Sequence, residues 1–268
     1  MSLENLINSK ESEAYMAKAT KVMVTSDYHI PYEDRKSIDI TLKAAKIYKP
    51  NVFVINGDLL DFYSLSSWDK NPEHFDVSHE ISEGKKYLQM IRDALGKNTT
   101  IVYLEGNHEA RLQRYLWKNP ELADLDVLKM ENLLDLDKYQ VKWIGAEMDY
   151  WKKTSGSYNI GDTRIMHGDN RLNGASTSKY SGYSIKNTVG TTRKNTIMGH
   201  VHRGAVHYNT NEDSTLVGVE GGNLCQEIPT ANWQQGFTTF EVYKGKGANF
   251  QFHFIDKHKL IYDGKVIK

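Results

Sequence analysis

Five short polar motifs stand where apolar stretches of the sequence end, and their side chains are of the kinds that bind divalent metal ions. In chain order, the motifs are Asp27-Tyr28-His29, Gly57-Asp58-Leu59-Leu60-Asp61, Gly106-Asn107-His108-Glu109, His167-Gly168-Asp169 and Gly199-His200-Val201-His202. Carboxylate, imidazole and amide oxygen are the groups that hold borderline ions such as Mn²⁺, Fe and Zn²⁺. The residue types therefore indicate a metal site, provided that the fold brings the motifs together.

The spacing inside two motifs favours convergence of their side chains. Asp27 and His29 are two residues apart, as are His200 and His202. On an extended backbone, side chains at positions i and i+2 point the same way, so each pair is predicted to aim two ligands at one place. The glycines that precede several of these ligands would let the backbone turn tightly at the strand end.

Each motif taken alone has an ordinary structural interpretation. Asp58 could serve its turn, Asn107 could be a turn residue, and His167 could be a hydrogen-bonded core histidine. All five motifs in succession, each after an apolar stretch, are hard to explain in that way. The set as a whole predicts one shared site.

The elements that must position these motifs alternate between strands and helices in the first half of the chain. Strands are predicted at 21–25, 52–56 and 99–104, and the helices between them at 34–48 and 79–95. The strand at 52–56 is an apolar run closed by Asn-Gly-Asp, which is typical of a strand buried on both faces. This alternation predicts a largely parallel sheet with right-handed crossovers. Open α/β sheets bind their ligands beyond the carboxyl ends of the strands, where Asp58 would lie.

The rest of the chain is predicted to be helical at first and then rich in strands. A short peripheral helix is predicted at 3–18, a helical cap or arm at 109–136 and a helix around 176–188. Short apolar runs separated by turn residues predict the later strands. These strands are expected near 140–144, 157–160, 163–167, 195–199, 205–209, 214–219, 237–243 and 249–255, with a hairpin at 260–267.

Composition excludes several classes of protein. The chain has 268 residues, with 34 Lys and Arg balancing 34 Asp and Glu, so no global charge favours nucleic acid or an anionic membrane. Its one cysteine, Cys225, cannot form an intrachain disulfide, which fits a reducing compartment or a fold that needs no disulfide. The N-terminus lacks the apolar core of a signal peptide, and no apolar run approaches membrane-spanning length. We therefore expect a soluble, cytoplasmic protein without membrane association.

Together the five motifs resemble the signature of the calcineurin-like metallophosphoesterase superfamily. That signature reads D-x-H, G-D-x-x-D, G-N-H-[ED], H and G-H-x-H, and every part of it is present between Asp27 and His202. The resemblance implies an α/β fold, a four-layer α/β/β/α sandwich of two mixed sheets flanked by helices. We expect an N-terminal extension over 1–20, a metallophosphoesterase domain over 21–256, with 109–136 as its helical cap, and a C-terminal hairpin over 257–268.

The resemblance also implies two divalent metal ions, for which we expect Mn²⁺, with Fe, Zn²⁺ and Ni²⁺ as alternatives. One ion would be held by Asp27, His29, Asp58 and His202. The other would be held by Asp58, Asn107, His167 and His200. Asp58 would bridge the two ions. In such sites a hydroxide activated by the two metals attacks phosphorus in line.

Catalytic and substrate-binding roles follow from the same resemblance. His108 is expected to give a proton to the leaving alkoxide or to hold the phosphate, and Asp61 to orient this histidine. Asn107, His108, Arg111 and Arg171 are the expected substrate-binding residues. The alternatives are that Asp61 is a charge at a helix N-terminus and that Arg111 is a solvated helix residue.

The substrate class is less sharply defined by the sequence. The phosphoprotein phosphatase branch carries an arginine after the second aspartate, where this chain has Phe62. The segment 168–194 combines Lys and Arg with Tyr180 and Tyr183, which suits a phosphate- or strand-binding surface, although it could be a solvated loop. We predict a hydrolase of phosphodiester or phosphomonoester bonds, a phosphodiesterase or nuclease acting on nucleotides or nucleic acid. The alternatives are a phosphoprotein phosphatase and a metal-bound scaffold without hydrolysis.

Overall fold

A computed structural model of the chain describes residues 18–71, 73, 76–146, 148–149, 152–153, 156–169 and 177–268. The helix predicted at 3–18 lies outside the described residues, apart from its last position, and so does Arg171.

The strands, in chain order, are β1 (Thr20–Thr25), β2 (Val52–Asn56), β3 (Thr100–Leu104), β4 (Val141–Ile144), β5 (Met148–Asp149), β6 (Lys152–Lys153), β7 (Ser157–Ile160), β8 (Thr163–Met166), β9 (Asn195–Met198), β10 (Gly204–Thr210), β11 (Thr215–Gly221), β12 (Gly236–Tyr243), β13 (Lys246–Phe254), β14 (Leu260–Tyr262) and β15 (Lys265–Ile267). The α-helices are α1 (Arg35–Tyr48), α2 (Val77–Leu95), α3 (Ala110–Lys118), α4 (Pro120–Ala123), α5 (Met130–Leu133) and α6 (Tyr183–Thr192). Short 3₁₀ helices lie at Tyr63–Leu65, Asp126–Leu128 and Leu136–Tyr139.

Two mixed sheets form the centre of the fold. The six-stranded sheet has the order β13-β12-β1-β2-β3-β4, and the five-stranded sheet has the order β10-β11-β9-β8-β7. Strands β1 to β4 are parallel, and β12 and β13 extend that sheet in antiparallel fashion. In the other sheet β8, β9 and β11 are parallel. The predicted α/β class with two mixed sheets is confirmed.

Neighbouring side chains along a strand point to opposite faces of the sheet and join different apolar layers. In β2, Val52 and Val54 join the apolar cluster between the sheets, whereas Phe53 and Ile55 join the cluster that packs against α1 and α2. In β9, Ile197 faces between the sheets and Met198 packs with residues of α6. Because side chains alternate across a strand, a continuous apolar run can serve both faces. Helices on both outer faces complete four layers.

Local sequence signals fix the ends of the two helices beside the first sheet. The side chain of Asp34 accepts from the backbone N–H of Ser37 at 2.9 Å, and that of Asp76 accepts from His79 at 2.8 Å. Both are N-caps, which satisfy amide groups that have no partner within the helix. Gly96 ends α2 with a φ of 71°, a conformation that favours glycine. These helices hold β1, β2 and β3 in parallel.

The segment 109–136, which is predicted to be helical, contains the short helices α3, α4 and α5 with 3₁₀ turns, and its role as a cap stays a prediction. Pro120 begins α4, and a proline disfavours helical geometry in the residue before it, so Asn119 leaves the helical region, with a φ of −131° and a ψ of 68°. The helix predicted around 176–188 begins only at Tyr183, because Gly182 precedes it with a φ of 82°.

Candidate metal centre

The five polar motifs meet at one edge of the two sheets. Strands β1, β2 and β3 run parallel and carry their motifs at the same end. The loops after β1 and β2 are joined by hydrogen bonds, since the backbone N–H groups of Tyr28 and His29 both donate to Asp58 O at 2.9 Å. Gly199 N–H donates to His167 O at 2.9 Å and joins the loops after β8 and β9.

The first cluster consists of Asp27, His29 and His202, whose ligand atoms lie within 4.8 Å of one another. Asp27 Oδ1 is 3.2 Å from His202 Nε2 and 3.8 Å from His29 Nε2. This oxygen is buried and makes no hydrogen bond. A buried carboxylate oxygen normally has a partner, so an unpaired one facing two imidazoles fits a cation ligand.

The second cluster consists of Asp58, His167 and His200, again within 4.8 Å of one another. His167 Nε2 is 3.1 Å from Asp58 Oδ2 and 2.9 Å from Asn107 Oδ1. Asp58 Oδ2 also lies 3.8 Å from His29 Nε2 of the first cluster. Asp58 therefore stands between the clusters, where a shared carboxylate could contact two ions.

The two pairs of residues with i, i+2 spacing reach the metal centre, but not through the extended backbone that was expected for them. Asp27, His29, His200 and His202 have φ angles of 56°, 51°, 67° and 58°, so their backbones are left-handed rather than extended. Asp27 and His29 still meet, but His202 joins the first cluster and His200 the second. Non-glycine residues with positive φ are strained and persist where the surroundings impose them, which is common at functional sites.

Hydrogen bonds behind two imidazoles leave their Nε2 atoms facing the centre. His167 Nδ1 lies 2.9 Å from the carbonyl oxygen of Asn56, to which only a protonated nitrogen can donate. His29 Nδ1 lies 3.1 Å from Asp61 Oδ2. Partners of this kind fix the tautomer and the ring orientation of metal-binding histidines.

His108, Asp61 and Arg111 form a network at the rim of the centre. His108 Nδ1 lies 3.2 Å from Asp61 Oδ2 and 2.8 Å from Asp61 O, and its Nε2 is 3.8 Å from Asp58 Oδ2. Arg111, on the first turn of α3, donates through Nη1 to Asp61 O at 2.9 Å, while its Nη2 lies 3.2 Å from His108 Nε2. Arg111 therefore contacts this rim network, and only 15% of its side chain is exposed.

The electrostatics of the centre couple protons to metal binding. Burial opposes a positive charge, but Asp27 and Asp61 raise the pKa of His29 to about 10, and Asp58 likewise raises the pKa of His167 to about 10. Burial and the neighbouring His167 lower the pKa of His200 to about 4. Metal ligands must be deprotonated, so an entering ion would displace these protons.

Two glycines are required for close approach rather than for a turn. A Cβ on Gly106 would lie 2.1 Å from Asp58 Oδ1, and one on Gly199 would lie 2.8 Å from Asp27 Oδ2. Any side chain at either position would collide with a ligand carboxylate. The glycines before Asn107 and His200 therefore allow the strand ends to pack against the aspartates.

Glu109 is a supporting residue to which sequence reasoning gave no role. Its buried carboxylate accepts the backbone N–H groups of Asp58, Leu60 and Gly106 at 2.9, 3.1 and 2.8 Å, and the hydroxyl of Tyr103 at 2.7 Å. Burial and the adjacent Asp58 charge raise its pKa. The feature of the sequence that could have indicated this role is the position of Glu109 at the end of the third polar motif. Glu109 joins the ends of β2 and β3.

A cavity of about 510 Å³ opens over both clusters. Beyond the ligands, its walls contain Tyr32 and the loop residues Gln226, Glu227, Ile228 and Trp233. The Trp233 ring lies 4.2 Å from the His202 ring, centre to centre. Residues 226–233 match no recognisable motif, so their place at the site could not be predicted from the sequence.

The described part of the basic segment lies apart from this cavity. Lys179 lies over the Tyr180 ring and Lys186 over the Tyr183 ring, at 5.3 and 5.8 Å. None of the described residues in 177–194 lines the cavity. Arg171 belongs to the part of the segment that is not described, so its predicted contact with substrate stays a prediction.

A family model for calcineurin-like phosphoesterases matches residues 20–233. The chain belongs to this family. Membership supports metal-dependent hydrolysis of phosphate esters and implies divalent metal ions, for which the two Asp/His clusters are candidate sites. Within the described part of the chain, no helix combines the length and apolarity needed to cross a membrane.

Individual proteins that the chain resembles share only a small part of its sequence. The chain is 30% identical to the Gene 54 protein of Mycobacterium phage D29 over 239 residues, which cover 83% of this chain and 89% of that protein. It is 26% identical to the Gene 54 protein of Mycobacterium phage L5 over 240 residues, with the same coverage. Among solved structures, a metallophosphoesterase from Sphaerobacter thermophilus matches with 14% identity, a TM-score of 0.44 and coverage of 88% of this chain and 89% of that one. Vps29 from Entamoeba histolytica complexed with Zn²⁺ matches with 13% identity, a TM-score of 0.43 and coverage of 92% and 96%.

Proposed function

We propose that this protein is a binuclear metallophosphoesterase that hydrolyses phosphodiester or phosphomonoester bonds in nucleotides or nucleic acid. The observation that carries the proposal is the meeting of two oxygen- and nitrogen-donor clusters at Asp58, inside one open cavity. Family membership supports the reaction class, and the presence of two clusters supports the proposal of two ions.

The donor set fits two borderline divalent ions. One ion would be held by Asp27, His29, Asp58 and His202. The other would be held by Asp58, Asn107, His167 and His200. Mn²⁺ suits such mixed oxygen and imidazole ligands, and Fe, Zn²⁺ and Ni²⁺ remain alternatives. When bound, the ions supply Lewis acidity and a nucleophilic water of lowered pKa.

The residues at the rim have proposed roles of their own. His108 gives a proton to the leaving oxygen or holds the phosphate, since its Nε2 faces the cavity beside Asp58. Asp61 orients His108, and Arg111 places a fixed positive charge beside them. Asn107 contacts the phosphate while serving as a ligand. Arg171 remains a proposed substrate contact from the sequence alone.

The walls of the cavity favour a substrate that carries a flat, apolar group. Phe62 is fully buried and offers the cavity no phosphate clamp, unlike an arginine at that position. Trp233, Ile228 and Tyr32 present aromatic and aliphatic surface within the same cavity as the metal ligands. A nucleobase suits such a surface, because bases stack on aromatic side chains.

A substrate panel with a controlled metal supply tests the proposal. Metal-stripped protein should be inactive and should regain hydrolysis of nitrophenyl phosphodiesters, nucleotides or single-stranded DNA when Mn²⁺ is added. Elemental analysis should find close to two ions per chain. Asp58→Asn should lose both ions, because one carboxylate serves both clusters. Asp39→Asn, an exposed change on α1, is the matched control and should keep them.

Three outcomes would contradict parts of the proposal. Metal-loaded protein without activity on any phosphate ester would indicate a scaffold. Rapid dephosphorylation of phosphoproteins, with nucleotides and DNA untouched, would indicate a phosphoprotein phosphatase. Asp58→Asn with a single tightly held ion would show that the carboxylate does not bridge.

A further inference from the structure

A second cleft, of about 870 Å³, opens beside the metal centre, and we call it the α3 groove. One wall is the segment 64–70, and the other is one side of α3 with Asn119. None of the predicted roles at the metal centre uses the outer part of this cleft.

The α3 groove begins at the metal centre. Asn107 lines both the metal cavity and the groove. Arg111 lines the groove and donates to Asp61 O, and Arg114 Nη2 donates to Asn107 O at 3.0 Å. A ligand that lies in the groove would therefore extend away from the scissile position.

A row of positive charges follows the helix along this groove. Arg111, Arg114 and Lys118 stand at positions i, i+3 and i+7 of α3, which share one helix face. At about 1.5 Å per residue the row extends roughly 10 Å along the groove. Lys70 lines the opposite wall, and the described residues that line the groove include no carboxylate, since Asp69 of the segment 64–70 is not among them. The groove has the charge to bind a string of phosphates.

Large aromatic side chains stand beside these charges and are exposed. Trp68 is 79% exposed, Trp117 is 52% exposed and Tyr115 is 43% exposed. All three line the groove. Exposed tryptophans are uncommon unless function needs them. Aromatic rings beside a basic track are the combination that binds single-stranded nucleic acid, by stacking of bases and pairing of phosphates.

We propose that the α3 groove binds a single-stranded polynucleotide and leads its phosphodiester to the metal centre. Phosphates lie along the row of Arg and Lys residues, and unpaired bases stack on Trp68, Tyr115 and Trp117. A duplex keeps its base faces stacked internally, so it cannot use the three rings. This inference rests on the proposed function for its substrate class, and it adds the binding surface and the strandedness.

Binding without turnover provides the test. A fluorescein-labelled oligothymidylate is titrated with the full chain in EDTA, and fluorescence anisotropy reports the affinity. Trp68→Ala and Trp117→Ala should each weaken binding roughly fivefold or more, the loss expected when one stacking ring is removed. Lys118→Gln should reduce the slope of log affinity against log salt by about 0.7, the value for one phosphate contact to a single strand.

Matched controls lie outside the α3 groove and outside the segment 168–194. Tyr208→Ala removes a 62% exposed aromatic on β10, and Lys265→Gln removes an exposed cation on β15. Neither residue lines the α3 groove. Each control should bind the oligonucleotide as the unaltered chain does.

Several outcomes would overturn the inference. They are no binding by the unaltered chain, equal losses in control and groove variants, equal affinity for a duplex, and equal competition by polyglutamate. The last would identify the groove as a surface for an acidic protein segment. Hydrolysis of bis(p-nitrophenyl) phosphate with Mn²⁺ is measured on the same samples. Hydrolysis without groove binding rejects this inference alone, whereas groove binding without any hydrolysis rejects the proposed function.

Discussion

Asp61 contacts two histidines that have different proposed tasks. Its Oδ2 lies 3.1 Å from His29 Nδ1 and 3.2 Å from His108 Nδ1. Burial raises the pKa of Asp61, but these two imidazoles lower it below its usual range, so the carboxylate stays charged. One side chain therefore supports both a proposed metal ligand and the proposed acid.

Asp61→Asn should consequently affect metal binding as well as turnover. The amide is a weaker partner for His29, and loss of such a partner costs roughly 10- to 100-fold in metal affinity or activity. Calorimetric titration with Mn²⁺ should show weaker binding at the site that contains His29. If the affinity for both ions were unchanged and turnover were reduced, Asp61 would support only His108 and not the metal ligand His29.

His108→Asn should separate chemistry from metal binding. No metal role is proposed for its ring, so metal content should stay at the level of the unaltered chain. General acids contribute on the order of 10²–10⁴-fold to rate, and a nitrophenolate leaving group needs little protonation. Turnover of an alkyl ester should therefore fall much more than that of a nitrophenyl ester.

Equal losses on the two esters would assign His108 to phosphate binding alone. Full activity on alkyl esters, with both ions bound, would show that the residue has neither role.

At the scale of elements, β13 carries a histidine whose burial makes strand packing sensitive to acid. The His253 ring stacks on Phe237 of β12 at 4.9 Å and contacts Tyr262 of the C-terminal hairpin at 5.0 Å. Burial lowers the pKa of His253 to about 4, against roughly 6.5 in an unfolded chain. The folded state therefore favours the neutral imidazole.

The sign of the resulting pH dependence follows from proton binding. Between about pH 6.5 and 4 the unfolded chain binds a proton at this position and the folded chain does not, so the stability contributed by His253 is lost as the pH falls. His253→Phe should reduce the acid-induced loss of unfolding free energy in that range, measured by urea denaturation in EDTA. The control His79→Phe, at an exposed position on α2, should follow the unaltered chain. Identical pH profiles for His253→Phe and the unaltered chain would show that this imidazole is not the sensitive group.

At the scale of the whole molecule, the proposed metal ligands join the two sheets. Asp27, Asp58 and Asn107 follow strands of the six-stranded sheet, whereas His167, His200 and His202 follow strands of the five-stranded sheet. Ions bound between them would bind the folded chain and not the unfolded one. Binding would then stabilise the fold by mass action.

Mn²⁺ should therefore raise the midpoint of thermal unfolding. At 100 times Kd each site contributes about 2.7 kcal/mol, and for a chain of this size about 1 kcal/mol corresponds to roughly 2–4 °C. Differential scanning calorimetry of metal-stripped and Mn²⁺-loaded protein should show a rise of several degrees. Asp58→Asn should abolish most of the rise, since it removes a ligand from both clusters. A shift that survives this change would place the stabilising ions elsewhere.

The sequence by itself determined the fold class, most strand positions and the set of polar motifs at the strand ends. The strand predicted at 52–56 is β2 to the residue, and that predicted at 99–104 is β3 with one residue fewer. Periodicity and turn residues are local signals, so they can be read along the chain. The family signature is local in the same sense, since each motif spans at most five residues.

Only the tertiary structure decided the contacts that join distant parts of the chain. Asp61 contacts His29, which is 32 residues away in the sequence, and Trp233 contacts His202, which is 31 residues away. Segment 64–70 forms the α3 groove with a helix that begins some forty positions later. The left-handed backbone at Asp27, His29, His200 and His202 could not be predicted from the sequence either, because these residue types do not favour it strongly. No local pattern encodes such contacts, since they depend on which loops the two sheets bring to the same edge.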